Sequence, residues 1–386
     1  SEQISVAETP GSPRVLGALG ADDWRDLARL PAGHGLVSMA VDYGAGGRSR
    51  GIGALRQEMK RLHRRPPEEE RPAQWRDLLT ASESALAAAI AASIGHGERS
   101  RAFFATLGED EVIAVTSPVR LAEYCSVAGI PRLMELALAA PSSQIRGVIG
   151  VTRRGVTATE YWGPHPRAEW TIPLDAASGG RRHEGPARGG PRRSIVHGDL
   201  VARRRGHEVG KALANAGEQL GEHATARNWV TALVGGDMRE VPRVLDPVEK
   251  AGVPTIALDR HVDSATEQRA ALDIVDRELA ERARSRLESG EGDLIRGAGA
   301  ISQGIERREV SEVFVGVRPP VDGRAPERVG EAAAAEADEL VRLARASAVP
   351  VSPVVGAQDI GVGPGRLAAT GPSGSRANER IGAARP

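Results

Sequence analysis

The stretch ASGGRRHEGPARGGPRRSIVHGDLVARRRGH, residues 177–207, stands out from the rest of the sequence by its content of arginine and glycine. Residues 177–198 are rich in glycine, arginine and other polar residues and hold few large apolar side chains. Such a segment cannot bury enough apolar surface to form part of a core, so we expect a long exposed loop.

The charge of this stretch is strongly positive. Between residues 181 and 207, eight arginines stand against two acidic residues, Glu184 and Asp199, which is an excess of six positive charges. A guanidinium group pairs with phosphate oxygens at little geometric cost, so an arginine-rich loop suits an RNA backbone. A solvated surface loop without a partner is the alternative that charge alone leaves open. The RNA-binding candidates on this ground are Arg181, Arg182, Arg188, Arg192, Arg193, His197, Arg203, Arg204 and Arg205.

Regular elements are predicted on both sides of the loop. Residues 146–151 and 156–161 flank the tripeptide RRG and predict a β-hairpin with Gly155 at the turn. After the loop, residues 200–223 predict a helix, because its apolar residues are spaced for one buried face. The residues of that face are Val209, Leu213, Ala216 and Leu220.

Alternating strands and helices follow this helix. Residues 229–234 predict an apolar strand that ends in the sequence LVGGD, residues 233–237. A helix over 241–251 and a strand over 253–258 come next. This alternation predicts a mostly parallel sheet with helices on its faces.

The residues before the hairpin predict a small α/β domain of their own. Its helices are expected at 22–30, 52–65 and 75–94, and its strands at 35–43, 100–106 and 111–116. The charged sequence HRRPPEEERP, residues 63–72, connects two of the helices, and its two prolines end the first of them.

A third α/β unit follows the middle one. Its helices are predicted at 268–289, 293–305 and 328–346, and its strands at 312–317 and 350–355. On the first of these helices one apolar stripe is expected, formed by Leu272, Val275, Leu279, Ala283 and Leu287.

The sequence therefore predicts an α/β protein of three small domains in tandem, the middle one with the mostly parallel sheet and the long basic loop. A length of 386 residues suits two to four domains at about 100–200 residues each. The expected boundaries are a flexible N-terminus at 1–20, domains at 21–143, 144–264 and 265–370, and a disordered tail at 371–386.

Composition excludes several classes of protein. The 51 basic and 51 acidic residues balance, which argues against a protein that coats nucleic acid by bulk charge. No apolar run approaches the ~18 residues of a membrane span, and the first residues do not resemble a signal peptide. The single cysteine, Cys125, excludes a disulfide framework and a cysteine-rich metal site, so we expect a reducing, cytoplasmic location.

The order hairpin, basic loop, long helix and strand ending in GGD resembles the middle domain of archaeal–eukaryotic class-one release factors. In that family the loop carries Gly-Gly-Gln followed by basic residues and reaches the peptidyl transferase centre. Gly189 and Gly190 match this pattern, and Pro191 stands where the family has glutamine. Gly179–Gly180 is a rival pair that also lacks glutamine. The resemblance adds Gly189, Gly190 and Pro191 to the RNA-binding candidates.

The missing glutamine has a chemical consequence. A glutamine amide can donate and accept hydrogen bonds, as needed to place a water molecule against an ester carbonyl. Proline has no polar side-chain atom and no backbone donor. We therefore expect a loop that contacts ribosomal RNA without catalysing peptide release, with no catalytic residue, no cofactor and no bound metal.

The rest of the chain is similar to the same superfamily. Strands 312–317 and 350–355 resemble the core of the C-terminal domain of release factors and Pelota, which helps to dock a translational GTPase. The Asn-Ile-Lys-Ser and Tyr-x-Cys decoding motifs are absent, and EYCSV around Cys125 does not supply them. The chain is most similar to the bacterial members of the superfamily, the Balon-type ribosome hibernation factors.

That resemblance implies a stress-response factor for the A site of the idle 70S ribosome, reaching rRNA of the peptidyl transferase region, alongside elongation factor Tu. It implies no membrane and no DNA partner. Two alternatives stay open: a ribosome rescue factor, and a peptidyl-tRNA hydrolase of the release-factor type.

Three weaker signals remain. The sequence LVGGD, residues 233–237, follows a strand and could cradle a phosphate in a free α/β enzyme, but it lacks the Gly-x-Gly-x-x-Gly spacing. The sequence GVGPG, residues 361–365, predicts a turn-rich terminal loop. His34 and the loop 44–50, GAGGRSR, are candidates for decoding-centre contacts because we expect them to be exposed and partly basic.

Overall fold

The computed structural model describes residues 13–31, 33–44, 46–64, 72–92, 94–95, 97–109, 111–152, 154–174, 191–289, 294–317, 331–355 and 367–370. It is a mixed α/β structure with three separate sheets. The chain divides into two compact units, one of residues 144–276 and one of residues 1–143 together with 277–386. Several predicted features lie outside the described residues: the tail 371–386, the sequence at 361–365, most of the connector 63–72, and the candidates Arg181, Arg182, Arg188, Gly189 and Gly190.

The N-terminal part of the chain forms a five-stranded sheet with helices. In chain order its elements are β1 (Arg14–Leu16), α1 (Ala21–Ala28), β2 (Leu36–Asp42), α2 (Gly47–His63), α3 (Pro72–Ala91), β3 (Ser100–Thr106), β4 (Val112–Ser117), β5 (Tyr124–Ala128) and α4 (Met134–Ala139). The strand order is β1-β4-β3-β2-β5, and every pairing except β1 with β4 is antiparallel. All seven residues of β2 are buried, since the strand lies inside the sheet.

The prediction that residues 1–20 form a flexible segment is wrong for residues 14–16. Residues 14–16 form β1 and pair with β4, with Arg14 opposite Ile113. Val15 in this strand is 49% exposed. Backbone hydrogen bonds to the neighbouring strand stabilise an edge strand even when its side chains are exposed. An edge strand such as β1 therefore cannot be recognised in the sequence by a run of apolar residues.

The helices α2 and α3 cover one face of this sheet. Leu55 and Met59 of α2 are fully buried there, as the spacing predicted, together with Trp75 of α3. Gly47 and Gly51 allow α2 to approach the sheet closely. A Cβ atom at Gly47 would stand 1.6 Å from the carbonyl oxygen of Asp42.

The middle unit is built from residues 144–276. Its elements are β6 (Ile145–Val151), β7 (Gly155–Trp162), β8 (His165–Pro173), α5 (Pro191–Ala226), β9 (Thr231–Gly236), α6 (Val241–Lys250), β10 (Thr255–Ala257) and the first half of α7 (Ala265–Ser289). The strand order is β10-β9-β6-β7-β8. Helices α5 and α6 cover one face of this sheet with Val244 and Leu213, and α7 covers the other with Leu272.

The prediction of a mostly parallel sheet in this unit is wrong. The pairs β10–β9 and β9–β6 are parallel, whereas β6–β7 and β7–β8 are antiparallel. The two short turns that join β6, β7 and β8 cannot connect parallel strands, which need a long crossover. The strand β8 was not predicted. It lies at the edge of the sheet, and its residues are half-exposed or exposed and several are polar, so the sequence shows no apolar run there.

The C-terminal part forms a four-stranded sheet. After α7 its elements are β11 (Leu294–Arg296), α8 (Ala298–Glu306), β12 (Glu312–Val317), α9 (Glu331–Ala346), β13 (Val351–Val355) and β14 (Leu367–Thr370). The strand order is β11-β14-β12-β13, with only β12 and β13 parallel. The start of the helix predicted at 293–305 forms the strand β11 instead. The helix α8 begins only after Gly297, because the φ of +89° at that residue is not helical.

Two cores lie along α7 rather than one. Leu272 and Val275 belong to the core of the middle unit, and Ala283 and Leu287 pack with Phe314 of β12. Leu279, predicted to share their stripe, is 42% exposed. The spacing rule assumes one partner surface along a helix, and the boundary between the compact units falls at residue 276, within α7.

Helices α1 and α9 share a core within the other compact unit. Trp24 and Leu27 of α1 are buried in the same apolar cluster as Leu340, Val341 and Ala344 of α9. The guanidinium of Arg345 lies 4.3 Å from the centre of the Trp24 ring. Burial lowers the pKa of Arg345 to about 10, so this cation stays charged at neutral pH while stacked on the indole.

Candidate functional site

The basic segment is part of a helix over much of its length. We predicted an exposed loop up to residue 198 and a helix from about residue 200, but α5 begins at Pro191. Proline suits the first turn of a helix, because the backbone donor that it lacks would have no helical partner there. The candidates Pro191, Arg192, Arg193 and His197 therefore lie on the first turns of α5, and Arg203, Arg204 and Arg205 follow on the same helix.

The C-terminal half of α5 is anchored in the core of the middle unit. Leu213, Ala216 and Leu220 are buried against the sheet and α6, and Val209 packs beside them. A Cβ atom at Gly217 would stand 2.7 Å from the carbonyl oxygen of Val244, so glycine lets α5 and α6 approach closely. At 1.5 Å per residue, Pro191 lies about 27 Å along the helix axis from Val209.

The basic residues of α5 repeat with the period of the helix. Arg192 and Arg203 are eleven residues apart, as are Arg193 and Arg204, and eleven residues make about three turns. Lys211 lies two turns beyond Arg204 and is exposed. At about 100° per residue, the positions of Arg193, Arg204 and Lys211 form a basic line along the helix, about half a turn around its axis from Leu213, whereas Arg192 and Arg203 lie about a fifth of a turn from Leu213.

The chain leaves the sheet for the basic segment at a defined edge. The amide of Leu174, just after β8, donates a hydrogen bond to the carbonyl of Arg154 in the β6–β7 turn. The same edge holds the end of β9, where the amide of Asp237 donates to the carbonyl of Val151. Leu174, the last described residue before the basic segment, therefore lies at the sheet edge formed by the carboxyl ends of β6 and β9.

The GGD sequence at this edge is explained by close packing. A Cβ atom at Gly236, whose φ is +135°, would stand 2.0 Å from the carbonyl oxygen of Val151, and one at Gly235 would stand 2.6 Å from that of Arg260. The amides of Gly236 and Asp237 already donate to Arg260 and Val151. With its glycines required for packing and these amides engaged, the loop offers no phosphate cradle of the kind suggested by its sequence.

A buried carboxylate fixes the other end of α5. Glu160 of β7 is 1% exposed and accepts hydrogen bonds from Nε and Nη2 of Arg227, both at 3.0 Å, and from Nε1 of Trp229 at 2.9 Å. Burial by itself raises the pKa of Glu160, but these hydrogen bonds outweigh it and hold the pKa below its ordinary value. Sequence reasoning missed this cluster, since its members are far apart in the chain.

Three rings pack beside this carboxylate. His223 of α5 lies 4.1 Å from Trp170 and 6.2 Å from Trp229, between ring centres. Its Nε2 is buried and has no hydrogen-bond partner within the described part of the chain. Burial, with the nearby charge of Arg227, lowers the pKa of His223, so the imidazole is neutral and part of the packing.

The candidates in the first domain are only partly in a loop. Gly47 to Arg50 form the first turn of α2, so this end of the predicted loop is helical. Gly46 precedes it in the left-handed region at φ +73°. Arg50 pairs with Glu123 at 3.3 Å, and His34 is exposed just before β2.

A groove of about 750 Å³ lies between α2 and the edge strand β5. Its lining residues include Arg50, Lys60, Arg64, Glu58, Glu123 and Cys125. Burial raises the pKa of the Cys125 thiol to about 12. The thiol therefore stays protonated at neutral pH.

Among the described residues, no group of three or more histidine, cysteine, aspartate or glutamate side chains could hold a metal ion. No helix in the ranges given above is both long enough and apolar enough to cross a membrane.

No protein-family model and no curated protein matches this chain. Among solved structures it is similar to the archaeal translation termination factor aRF1, with 15% sequence identity and a TM-score of 0.26 over 92% of this chain and 98% of that one. It is also similar to archaeal Pelota in a model of ribosome-bound Pelota and ABCE1, with 11% identity and a TM-score of 0.34 over 92% and 95% of the two chains.

A further similar structure is Dom34 of S. cerevisiae, described as a translation termination-like factor, with 6% identity and a TM-score of 0.35 over 70% and 73% of the chains.

Proposed function

We propose that this protein is a ribosome-binding, release-factor-like factor that occupies the A site of idle 70S ribosomes without releasing peptide, as a hibernation factor does. The observation that supports this function best is the sequence Gly189-Gly190-Pro191, whose proline is the first residue of α5. It combines the glycine pair of a peptidyl transferase loop with a residue that cannot do that loop's chemistry. The basic line along α5 supplies the charge that an RNA partner requires.

The chemistry of Pro191 supports a role without catalysis. Peptide release needs a group that orients water against the ester carbonyl, and hydrogen bonding by a side-chain amide meets that need. A proline side chain offers neither a donor nor an acceptor. On this proposal the basic segment enters the peptidyl transferase region and blocks it, and the ester bond of peptidyl-tRNA is not hydrolysed.

The partners follow from the same proposal. The basic segment meets rRNA near the peptidyl transferase centre, and the C-terminal part, residues 265–370, docks elongation factor Tu. The factor works in the cytoplasm, where idle ribosomes accumulate under stress.

Co-sedimentation with empty 70S ribosomes tests the proposal, over a salt series with and without elongation factor Tu. We expect salt-sensitive, stoichiometric pelleting that elongation factor Tu strengthens. Absence of pelleting under every condition would refute ribosome binding.

A single-turnover assay with labelled peptidyl-tRNA on the ribosome tests the absence of catalysis. We expect no release above background. Release that Gly189→Ala and Gly190→Ala abolish would instead identify a peptidyl-tRNA hydrolase.

A further inference from the structure

A buried carboxylate in the first domain holds two arginines at the surface. Asp42, the last residue of β2, is 2% exposed. Its Oδ1 lies 2.8 Å from Nε of Arg99, and its Oδ2 lies 3.1 Å from Nη2 of Arg99 and 3.1 Å from Nε of Arg120. One carboxylate therefore fixes two guanidinium groups side by side.

The charges of this cluster are not balanced. Two guanidinium groups share one carboxylate, and an excess of one positive charge remains. The side chains of Arg99 and Arg120 are 46% and 43% exposed, whereas that of Asp42 is 3% exposed. The negative charge thus lies on the protein side and the positive charge faces solvent, as an anion-binding surface requires.

The backbone beside Asp42 is shaped around one of the arginines. The amide of Gly44 donates to Oδ1 of Asp42 at 3.0 Å. A Cβ atom at Gly44 would stand 2.6 Å from Nη2 of Arg99, so glycine leaves room for the guanidinium. The position of Arg99 is thereby set before any ligand binds, which reduces the entropy cost of binding.

We infer that Arg99 and Arg120, held by Asp42, form a clamp for RNA backbone phosphate through which the first domain contacts its ribosomal partner. Two adjacent guanidinium groups can each donate hydrogen bonds to the oxygens of one phosphate. One guanidinium group neutralises the charge of the Asp42 carboxylate, so the charge of the other is available to the phosphate. The choice of RNA as the source of the phosphate rests on the proposed function. Overall the chain is neutral, so RNA affinity must come from local sites of this kind.

The test compares full-length variants that each change one arginine. Arg120→Gln leaves Arg99 on Asp42, and Arg99→Gln leaves Arg120, so the buried carboxylate keeps a partner in both. Arg120→Lys keeps the charge but loses the planar fork. Arg56→Gln is the matched control, because Arg56 is 71% exposed and lies 3.8 Å from Glu83. Thermal melts without and with inorganic phosphate verify that each variant is folded and measure any stabilisation by a free anion.

Two probes are measured over a salt series: a short fluorescein-labelled single-stranded RNA by anisotropy, and empty 70S ribosomes by co-sedimentation. We expect each glutamine variant to lower the slope of log K against log salt by about 0.7, as for one lost phosphate contact. Arg120→Lys should keep the slope but weaken binding, and Arg56→Gln should change neither.

The possible results separate the clamp from the proposed function. Lower slopes with the short RNA and no ribosome pelleting would support the clamp and refute the ribosome as partner. Normal pelleting with unchanged slopes for both probes in Arg99→Gln and Arg120→Gln would overturn the clamp alone. Thermal stabilisation by inorganic phosphate that Arg120→Gln removes, with unchanged RNA slopes, would also overturn it in favour of a site for free anions. A wild-type protein that binds neither probe would overturn both.

Discussion

The indole ring of Trp229 lies directly against the backbone of Gly147: a Cβ atom at Gly147 would stand 1.8 Å from Cζ3 of Trp229. Trp229 lies two residues before β9, and Gly147 is in β6, the strand that pairs with β9. Because Trp229 also donates to the buried Glu160, the ring cannot move away without breaking a hydrogen bond.

Gly147→Ala should therefore destabilise the middle unit strongly. Overpacking of a core costs about 1–3 kcal/mol, and a contact this short places the change at the upper end, about 3 kcal/mol. Urea unfolding followed by tryptophan fluorescence measures it. Gly206→Ala on α5 is the control, since a Cβ atom there meets nothing within 4 Å and should stabilise the helix by about 0.5–1 kcal/mol. Equal midpoints for the two variants would contradict the packing.

Glu160→Gln should weaken the protein by about 2–3 kcal/mol at neutral pH, because Arg227 and Trp229 lose a charged acceptor. The pKa of Glu160 is held below its ordinary value in the folded protein. Its stabilisation is therefore complete above the unfolded pKa of about 4.3 and is lost as the pH falls through the folded pKa. Unfolding midpoints from pH 7 down to pH 3 measure this effect. The exposed Glu169→Gln is the control, and a Glu160→Gln profile parallel to the wild-type profile would refute the role of Glu160.

Asp338 on α9 should give stability the opposite dependence on pH. Burial, with the nearby charge of Glu135, raises the pKa of Asp338 to about 7, although the amide of Met134 donates to it at 3.0 Å and Arg132 lies 3.6 Å away. The folded protein holds the extra proton between the ordinary pKa of 3.8 and about 7. Stability from this group is therefore greatest at acidic pH, falls as the pH rises to about 7, and is level above that.

Asp338→Asn removes this titration, so its stability should change less than that of wild type between pH 4 and about 7. Urea midpoints at intervals across this range measure the difference. Glu336→Gln, on the same helix and exposed, is the control and should follow the wild-type profile. Identical profiles for all three proteins would show that Asp338 is ionised normally.

The double variant Arg192→Gln, Arg193→Gln should weaken ribosome binding and flatten its salt dependence. Each phosphate contact contributes about 0.7–0.9 to the slope of log K against log salt. The double change Arg56→Gln, Arg282→Gln removes the same charge from exposed sites on α2 and α7 and should leave the slope unchanged. If both double variants behave alike, the start of α5 lies outside the interface.

Much of the fold could be predicted from local patterns. The strands over 100–106 and 312–317 were placed at their observed bounds, and the buried face of α5 was identified through Leu213, Ala216 and Leu220. The misses share a cause. The strands β1, β8 and β14 are short or lie at an edge, so hydrogen bonds to a neighbouring strand define them more than their own composition does.

For the candidate site, the sequence predicts the types of residue present but not their structure. The arginine content and the proline after the glycine pair are visible in the sequence, and they support the proposed function. That Pro191 begins a helix of 36 residues was not predicted, because glycine, proline and charge in residues 177–198 favoured a loop.

Local sequence patterns predict the α/β class, the buried faces of α2 and α5 and the basic segment, because these depend on residues a few positions apart. Which charged side chains meet depends on the tertiary structure. Asp42 and Arg99 are separated by 57 positions, Glu160 and Arg227 by 67, and Met134 and Asp338 by 204. No local pattern encodes such pairs, since the packing of distant elements alone brings them to hydrogen-bonding distance and sets their burial and pKa.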